Sequence, residues 1–323
     1  MPALDVEPFA TADVEEAGSL LAAHVANLHR SEPLVPVAYE REATATEAVA
    51  ALWRERSASG VAARRDGRLV GYLLGHSRDT FPGPNVWVPP EGQCSVEPEL
   101  VAPMYAEAAQ AWVDSGRTAH YALLPAKDAA LVDVWFHLCF GLQHVHAATE
   151  LTDGADTITP DPAVTVRRAT ADDVATLVSL DVQVTQHMAS SPVLSDVSLS
   201  DPVEAGDDWR EALVDPTQAV FVAEADGRPL GAALACPVEL SSAHAGLARP
   251  DHSAMLAWIV VDEPFRGRGL SRPLADAVLV WARAAGFHSI VTDWRSANLE
   301  SARSWRRFGF RDTFWRLHRN VGW

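Results

Sequence analysis

Along residues 164–323, apolar and polar positions switch between a period of two and a period near 3.6, and each switch marks an element. Val164–Arg168 alternates and predicts a short strand, and Thr170-Ala171-Asp172 then supplies a helix-start signal before an apolar-periodic helix from Val174 to about Val184. A loop with Ser and Pro follows, and Asp207–Leu213 is helical again. Ala219–Ala225 and Pro229–Ala235 are β-rich runs joined by Asp226-Gly227-Arg228, a strong hairpin signal because Asp and Gly accept the positive φ of a tight turn. Ala254–Val261 reads as an apolar, β-branched strand, Leu274–Ala285 as a helix ended by Gly286, and Ser289–Trp294 as a strand. Ser301–Phe308 reads as a helix stopped by Gly309, and Phe314–Arg319 as a closing strand. The sum is an α+β unit, a mixed sheet flanked by helices.

The first half reads the same way, because the chain repeats itself. Phe9-Ala10-Thr11-Ala12-Asp13 recurs as Arg168-Ala169-Thr170-Ala171-Asp172, displaced by 159, and Ser31-Glu32-Pro33 recurs as Ser190-Ser191-Pro192 at the same displacement. Asp66-Gly67-Arg68-Leu69-Val70-Gly71 recurs as Asp226-Gly227-Arg228-Pro229-Leu230-Gly231, displaced by 160. Trp135-Phe136-His137-Leu138-Cys139-Phe140 mirrors Trp305-Arg306-Arg307-Phe308-Gly309-Phe310, displaced by 170. Matches in one order argue for a duplicated domain: residues 1–151, a linker 152–163 where Asp, Thr, Gly and Pro cluster, and residues 164–323.

Composition adds exclusions. No apolar run approaches the ~18 residues of a membrane span, and the N-terminus lacks the basic region and apolar core of a signal peptide, so the expectation is a cytoplasmic protein without membrane contact. Cys94, Cys139 and Cys236 are too few and too scattered for a disulfide framework or a zinc site, and no metal is expected. The formal net charge of −17 argues against nucleic acid as a partner. That charge is unevenly spread: residues 1–160 hold 10 basic and 22 acidic side chains, residues 161–260 hold 5 and 15, and residues 261–323 hold 11 and 6. An anionic ligand is therefore expected on the last segment, and an acceptor drawn in as a cation on the acidic remainder.

Within that basic segment, Val261-Asp262-Glu263-Pro264-Phe265-Arg266-Gly267-Arg268-Gly269-Leu270-Ser271 runs from a strand through a Gly-spaced, Arg-flanked loop into a helix. Glycines admit close backbone approach, and a helix N-terminus offers unpaired N–H groups and a positive dipole end, so the stretch suits a pyrophosphate. The pattern is neither a Walker A loop nor a Rossmann fingerprint. It resembles the acyl-CoA loop of the GNAT superfamily of N-acetyltransferases, Gln/Arg-x-x-Gly-x-Gly/Ala, with Arg266 and Gly269 in place and Ser271 at the last small position. Asn298 followed by Trp305-Arg306-Arg307-Phe308-Gly309-Phe310 resembles that family's second motif, in the expected order and separation.

The resemblance implies two tandem GNAT-like domains, the first a degenerate copy without the loop. It implies acetyl-CoA as co-substrate, its pyrophosphate held by backbone N–H groups of Arg266, Gly267, Arg268, Gly269, Leu270 and Ser271, and its pantetheine paired along Trp258, Ile259, Val260 and Val261. Asn298 and Trp305 complete that set. A substrate amine attacks the thioester directly, so Cys236 is not needed as a nucleophile. Two positions depart from the family: Trp305 stands where a Tyr often acts as general acid, and Met255 where some members carry a Glu or His base. Glu239 and His252 are the replacement candidates, with Ser304 beside Trp305; Asp251 also lies near. The loop Gln186–Asp196 is expected to face the acceptor.

In the first half, Val96-Glu97-Pro98-Glu99-Leu100-Val101-Ala102-Pro103 has no glycine and no arginine, and about four residues are missing at the loop. The expected activity is acetyl transfer to a small amine in the second half. The alternatives are a non-catalytic acyl-CoA-binding or partner-binding protein, or transfer to a peptide or protein amine. A homodimer stays open.

Overall fold

The computed structural model describes residues 3–81, 83–152, 164–195 and 201–322. In chain order the first half contains β1 (Asp5–Pro8), α1 (Val14–Ser31), α2 (Glu42–Trp53), β2 (Ser59–Arg65), β3 (Arg68–Gly75), β4 (Asn85–Val88), β5 (Gln93–Ser95), α3 (Val101–Asp114), β6 (Ala119–Pro125), α4 (Ala129–His137) and β7 (Gly141–Glu150). The second contains β8 (Thr165–Arg168), α5 (Val174–Ala189), α6 (Pro202–Val214), β9 (Ala219–Ala225), β10 (Arg228–Pro237), β11 (Ser253–Val261), α7 (Ser271–Ala284), β12 (Ser289–Arg295), α8 (Leu299–Arg307) and β13 (Arg311–Asn320). Among the described residues no helix is long and apolar enough to cross a membrane.

The duplication is tighter in space than in sequence. β1, α1, β2 and the start of β3 map onto β8, α5, β9 and β10 at a constant displacement of 160, and α3, β6, α4 and β7 onto α7, β12, α8 and β13 at 170. The first sequence match is thus one residue off. The three-residue turns before α1 and α5 place Asp13 opposite Asp173, whose carboxylates accept from the N–H groups of Ala10 and Thr170 at 2.7 and 2.8 Å. Helix α5 also runs to Ala189, past the expected end at Val184, and absorbs the start of the Gln186–Asp196 loop; Asp196 lies outside the described residues.

Packing does not divide the chain at its sequence repeat. One compact unit comprises Met1–His146, Ala245–Asp251 and Asp312–Trp323; the other comprises Ala147–His244 and His252–Arg311. The C-terminal strand therefore belongs with the first half, where β13 pairs antiparallel with β6 from Phe314↔Pro125 to Asn320↔Ala119. Residues 153–163 of the expected linker lie outside the described residues.

In the first unit β1, β2, β3 and β5 form one antiparallel sheet, while β4 pairs parallel with β6. Trp112 and Trp135 are fully buried there among Leu73, Met104 and Leu124. In the second unit β8, β9, β10 and β11 are successively antiparallel, and β12 lies parallel to β11. Leu177 and Leu180 of α5 and Trp209 of α6 pack on that sheet with Val220 and Val222.

Candidate active site

Strand β11 is paired on one side only for much of its length. Its β10 edge is bonded from Gly231↔Val261 to Pro237↔Ala254, with a bulge that leaves Ala257 without an opposite number. Its β12 edge is bonded only at Ser253↔Ser289, Ala254↔Ile290 and Met255↔Val291. The Ser253 and Ser289 hydroxyls bond each other at this closed end, and Thr292 Oγ1 donates to the Leu256 carbonyl at 3.0 Å as the last bridge. A bulged strand bends, so the two strands part beyond it and form a fork. From Ala257 to Val261 one edge of β11 thus offers amide groups to a guest with amides of its own.

The open end of that edge leads into the Gly-Arg loop. A turn closed by Phe265 N–H to Asp262 O (2.8 Å) and Arg266 N–H to Glu263 O (3.2 Å) delivers the chain to Gly267 and Gly269. Both adopt positive φ, 78° and 79°, and a Cβ built on either meets nothing within 4 Å. Only glycine holds such angles without strain. The N–H groups of Gly267, Arg268, Gly269, Leu270 and Ser271 find no acceptor among the described residues. Successive N–H groups at the start of α7, with its dipole behind them, form an anion cradle. Arg266 donates from Nε to the Val261 carbonyl at 3.2 Å, and the Arg268 and Arg228 guanidinium groups stack on the Phe265 ring at 5.2 and 5.1 Å.

Gln183 on α5 anchors the loop's base. Its Nε2 donates to Asp262 Oδ1 at 2.9 Å, and its Oε1 accepts from the Glu263 N–H at 3.0 Å. Asp262 also faces Arg228 at 3.9 Å. The sequence offers no sign of this clamp, because Gln183 is one polar position on an amphipathic helix. A pyrophosphate fits the cradle and a pantetheine arm fits the fork, so an acyl-CoA matches both features together.

The second motif is largely structural. Asn298 is buried and caps α8, its Oδ1 accepting from the Ser301 N–H at 3.1 Å. Trp305 is buried edge-on to Phe308 and Phe310, with ring centroids 5.9 and 5.5 Å away. Ser304 is half-buried, and its carbonyl accepts from the Phe308 N–H at 3.0 Å.

The structure does not bring the two leading acid–base candidates to the fork. Glu239 is exposed in the turn after β10, and His252 is exposed just before β11 with φ 48° and its ring 5.4 Å from that of His288. Both lie at the closed end, where Pro237 opposes Ala254. At about 3.3 Å per residue, His252 is roughly 16 Å along the strand from Ala257, where the open edge begins. Two carboxylates lie nearer the open edge: Asp293 on β12, two residues past the last pair Met255↔Val291 with its Oδ2 3.8 Å from Nδ1 of the buried His244, and Asp181 on α5, half-buried beside Trp258. Burial pushes the Asp181 pKa up; the Trp258 indole opposes this and the negative charge of Asp208 on α6 adds to it. Trp258 itself packs edge-on to Trp209 at 5.0 Å. The only trace of Asp181 in the sequence is an acid following Leu177 and Leu180 on an apolar stripe.

The first copy has the same frame with different contents. Its counterpart of β11 is broken: β4 pairs with β6, the chain turns at Pro89-Pro90-Glu91-Gly92, and β5 pairs with β3. By register, Gln93 occupies the place of Ile259. Its Nε2 donates to the Leu123 carbonyl at 3.2 Å and its Oε1 accepts from Trp135 Nε1 at 2.9 Å, so one side chain crosses the gap between β5 and β6. Between β5 and α3 lie five residues, against nine between β11 and α7. They include Pro98, which has no N–H, and Glu97, whose carboxylate accepts from Arg65 at 2.8 and 2.9 Å.

Residues 186–310 match the sequence model of the acetyltransferase (GNAT) family. A GCN5-related N-acetyltransferase from Sphaerobacter thermophilus superposes over 98% of this chain and 96% of its own, with a TM-score of 0.59 and 14% identity. A tandem GNAT protein from the clavulanic acid biosynthesis pathway superposes over 99% of both chains, with a TM-score of 0.51 and 14% identity. The glucosamine N-acetyltransferase region of a fungal multi-domain GH3 beta-N-acetylglucosaminidase covers 98% of this chain and 38% of that one, at a TM-score of 0.54 and 12% identity. At these identities the likeness is one of fold. No protein of curated function matches the sequence.

Proposed function

From the match of residues 186–310 to the acetyltransferase (GNAT) family model and the likeness in fold to a tandem GNAT protein, we propose that this chain is a tandem GNAT acetyltransferase that moves an acetyl group from acetyl-CoA to the amine of a small molecule. The second half is the working copy. The observation that carries this reading is the continuity of the half-paired edge Ala257–Val261 with the cradle Gly267–Ser271.

The N–H groups of residues 267–271 hold the pyrophosphate, with Arg266 and Arg268 adding charge. The edge of β11 aligns the pantetheine amides and so fixes the thioester at the fork's opening. Acetyl-CoA, when bound, supplies the activated acyl group. Asp181 binds the acceptor's ammonium group and takes its proton before attack; a carboxyl held above its usual range is better matched to that task near neutral pH. Trp305 has no acidic proton to give, which leaves Ser304 as the hydroxyl of α8 nearest that position.

A panel of small amines incubated with acetyl-CoA and assayed for free thiol tests the proposal. Amine-dependent thiol release that Arg266→Ala reduces supports it. Acetyl-CoA binding without turnover of any amine, including peptide amines, selects the non-catalytic reading, which Trp305 and Met255 favour.

A further inference from the structure

The first copy lost its cradle but not its cavity. A cavity of about 380 Å³ opens between α1, β5 and the starts of α3 and α4, lined in part by His24, Asn27, Gln93, Ser95, Asp128 and Leu131. That is within the range of small-molecule sites, roughly 300–1,000 Å³. By the displacements of the repeat, it is the counterpart of the fork mouth in the second copy. A site that had merely decayed would be filled or greasy. Here His24 stands in place of Val184, Gln93 in place of Ile259, Ser95 in place of Val261, and Asp128 in place of the neutral cap Asn298.

The charges decide the kind of guest. The cation nearest the old loop, Arg65, is taken up by Glu97, and Lys127 donates to the Ser31 carbonyl at 2.7 Å and faces Glu32 at 3.5 Å. His24 is kept below its ordinary pKa by burial, against the pull of Asp128, and is neutral at pH 7. Its ring nitrogens have no hydrogen-bond partner among the described residues. Asp128 accepts through one carboxylate oxygen, Oδ1, from the Leu131 N–H at 3.0 Å. Arg30 stands beside the wall, donating to the lining Asn27, but among the lining residues themselves Asp128 carries the one formal charge; with neutral hydrogen-bonding groups around it, the cavity suits an ammonium group on a small apolar body.

We propose that the first copy is a second ligand site, rebuilt from an acyl-CoA mouth to bind a small amine as its cation, with Asp128 as the counter-charge and His24 and Ser95 as hydrogen-bonding partners. The site stands independently of whether the second copy turns over.

The test is a methyl NMR titration of the full chain with 2-phenylethylamine, and with 2-phenylethanol as the neutral match. The expected result is saturable shifts at the methyls of Leu20, Ala23 and Leu131, with the alcohol and the Asp128→Asn variant each weakening binding roughly tenfold. Asn is a sound helix cap and already serves at the equivalent Asn298, so this variant keeps α4 while removing the charge. His24→Val, the residue of the other copy, should weaken the amine as well. Equal binding of alcohol and amine, no saturable shift at these methyls, or shifts there by pantetheine or acetyl-CoA in preference to the amine would each overturn the proposal. Loss of acetyl-CoA binding in Arg266→Ala reports only on the second copy, so the two readings fail separately.

Discussion

Gln93 and Ile259 hold the same register position in two copies of one fold, and they have opposite effects. Ile259 lies on a strand whose outer edge is unpaired, whereas Gln93 reaches across the equivalent gap and bonds Leu123 and Trp135. Five residues with Pro98 and a paired Glu97 replace nine residues with two glycines at positive φ. The sheet frame alone therefore does not make an anion cradle; the open edge and the orphan N–H groups distinguish the copy that has one.

The largest effect expected from breaking this contrast comes from Asp181→Asn. Removing the group that takes the proton should lower kcat/KM by about a hundredfold or more while leaving acetyl-CoA affinity unchanged. The wild-type rate should fall with acid through a pKa above that of an ordinary aspartate, since only the carboxylate accepts a proton. Steady-state kinetics across pH checks both, and an unchanged profile in the variant would remove Asp181 from the mechanism. Substituting Ala at both Gly267 and Gly269 comes next. Each Cβ meets open space, so the fold should persist, but holding two positive φ angles costs about 1–2 kcal/mol apiece. Acetyl-CoA affinity should fall roughly tenfold to several hundredfold.

Gln93→Ile makes the first copy look like the second. It leaves the Trp135 indole N–H and the Leu123 carbonyl buried without partners, so we expect a loss of about 2 kcal/mol in urea denaturation. The number of acetyl-CoA sites should not change, because the cradle is still missing. The smallest effect concerns the turn that closes α4 and α8. Gly309 has φ 91° and its counterpart Cys139 adopts φ 65°, so Cys139→Gly should raise stability by about 1 kcal/mol, measured as a shift in Tm.

What the sequence made legible is what local rules govern. The Asp226-Gly227 hairpin, the Gly286 and Gly309 stops and the loop from Arg266 to Ser271 all appear where residue pattern and turn chemistry place them. The exchange of β13 into the first unit was not legible, because strand pairing over such distances leaves no local mark. Gln183, Asp181 and Gln93 were missed for a related reason: each is a single polar residue inside an amphipathic or apolar run, and only its spatial partners reveal its role. Glu239 and His252 are close in sequence to the strand that carries the fork, but they lie at its closed end.

Calorimetric titration of acetyl-CoA into the full chain, read for stoichiometry, is the most direct test of the contrast between the copies. The account predicts one site per chain, weakened roughly tenfold or more by Arg266→Ala. Two sites would mean that the turn around Glu97 also holds a pyrophosphate, and no binding would mean that the loop from Gly267 to Ser271 is only a connection between a strand and a helix.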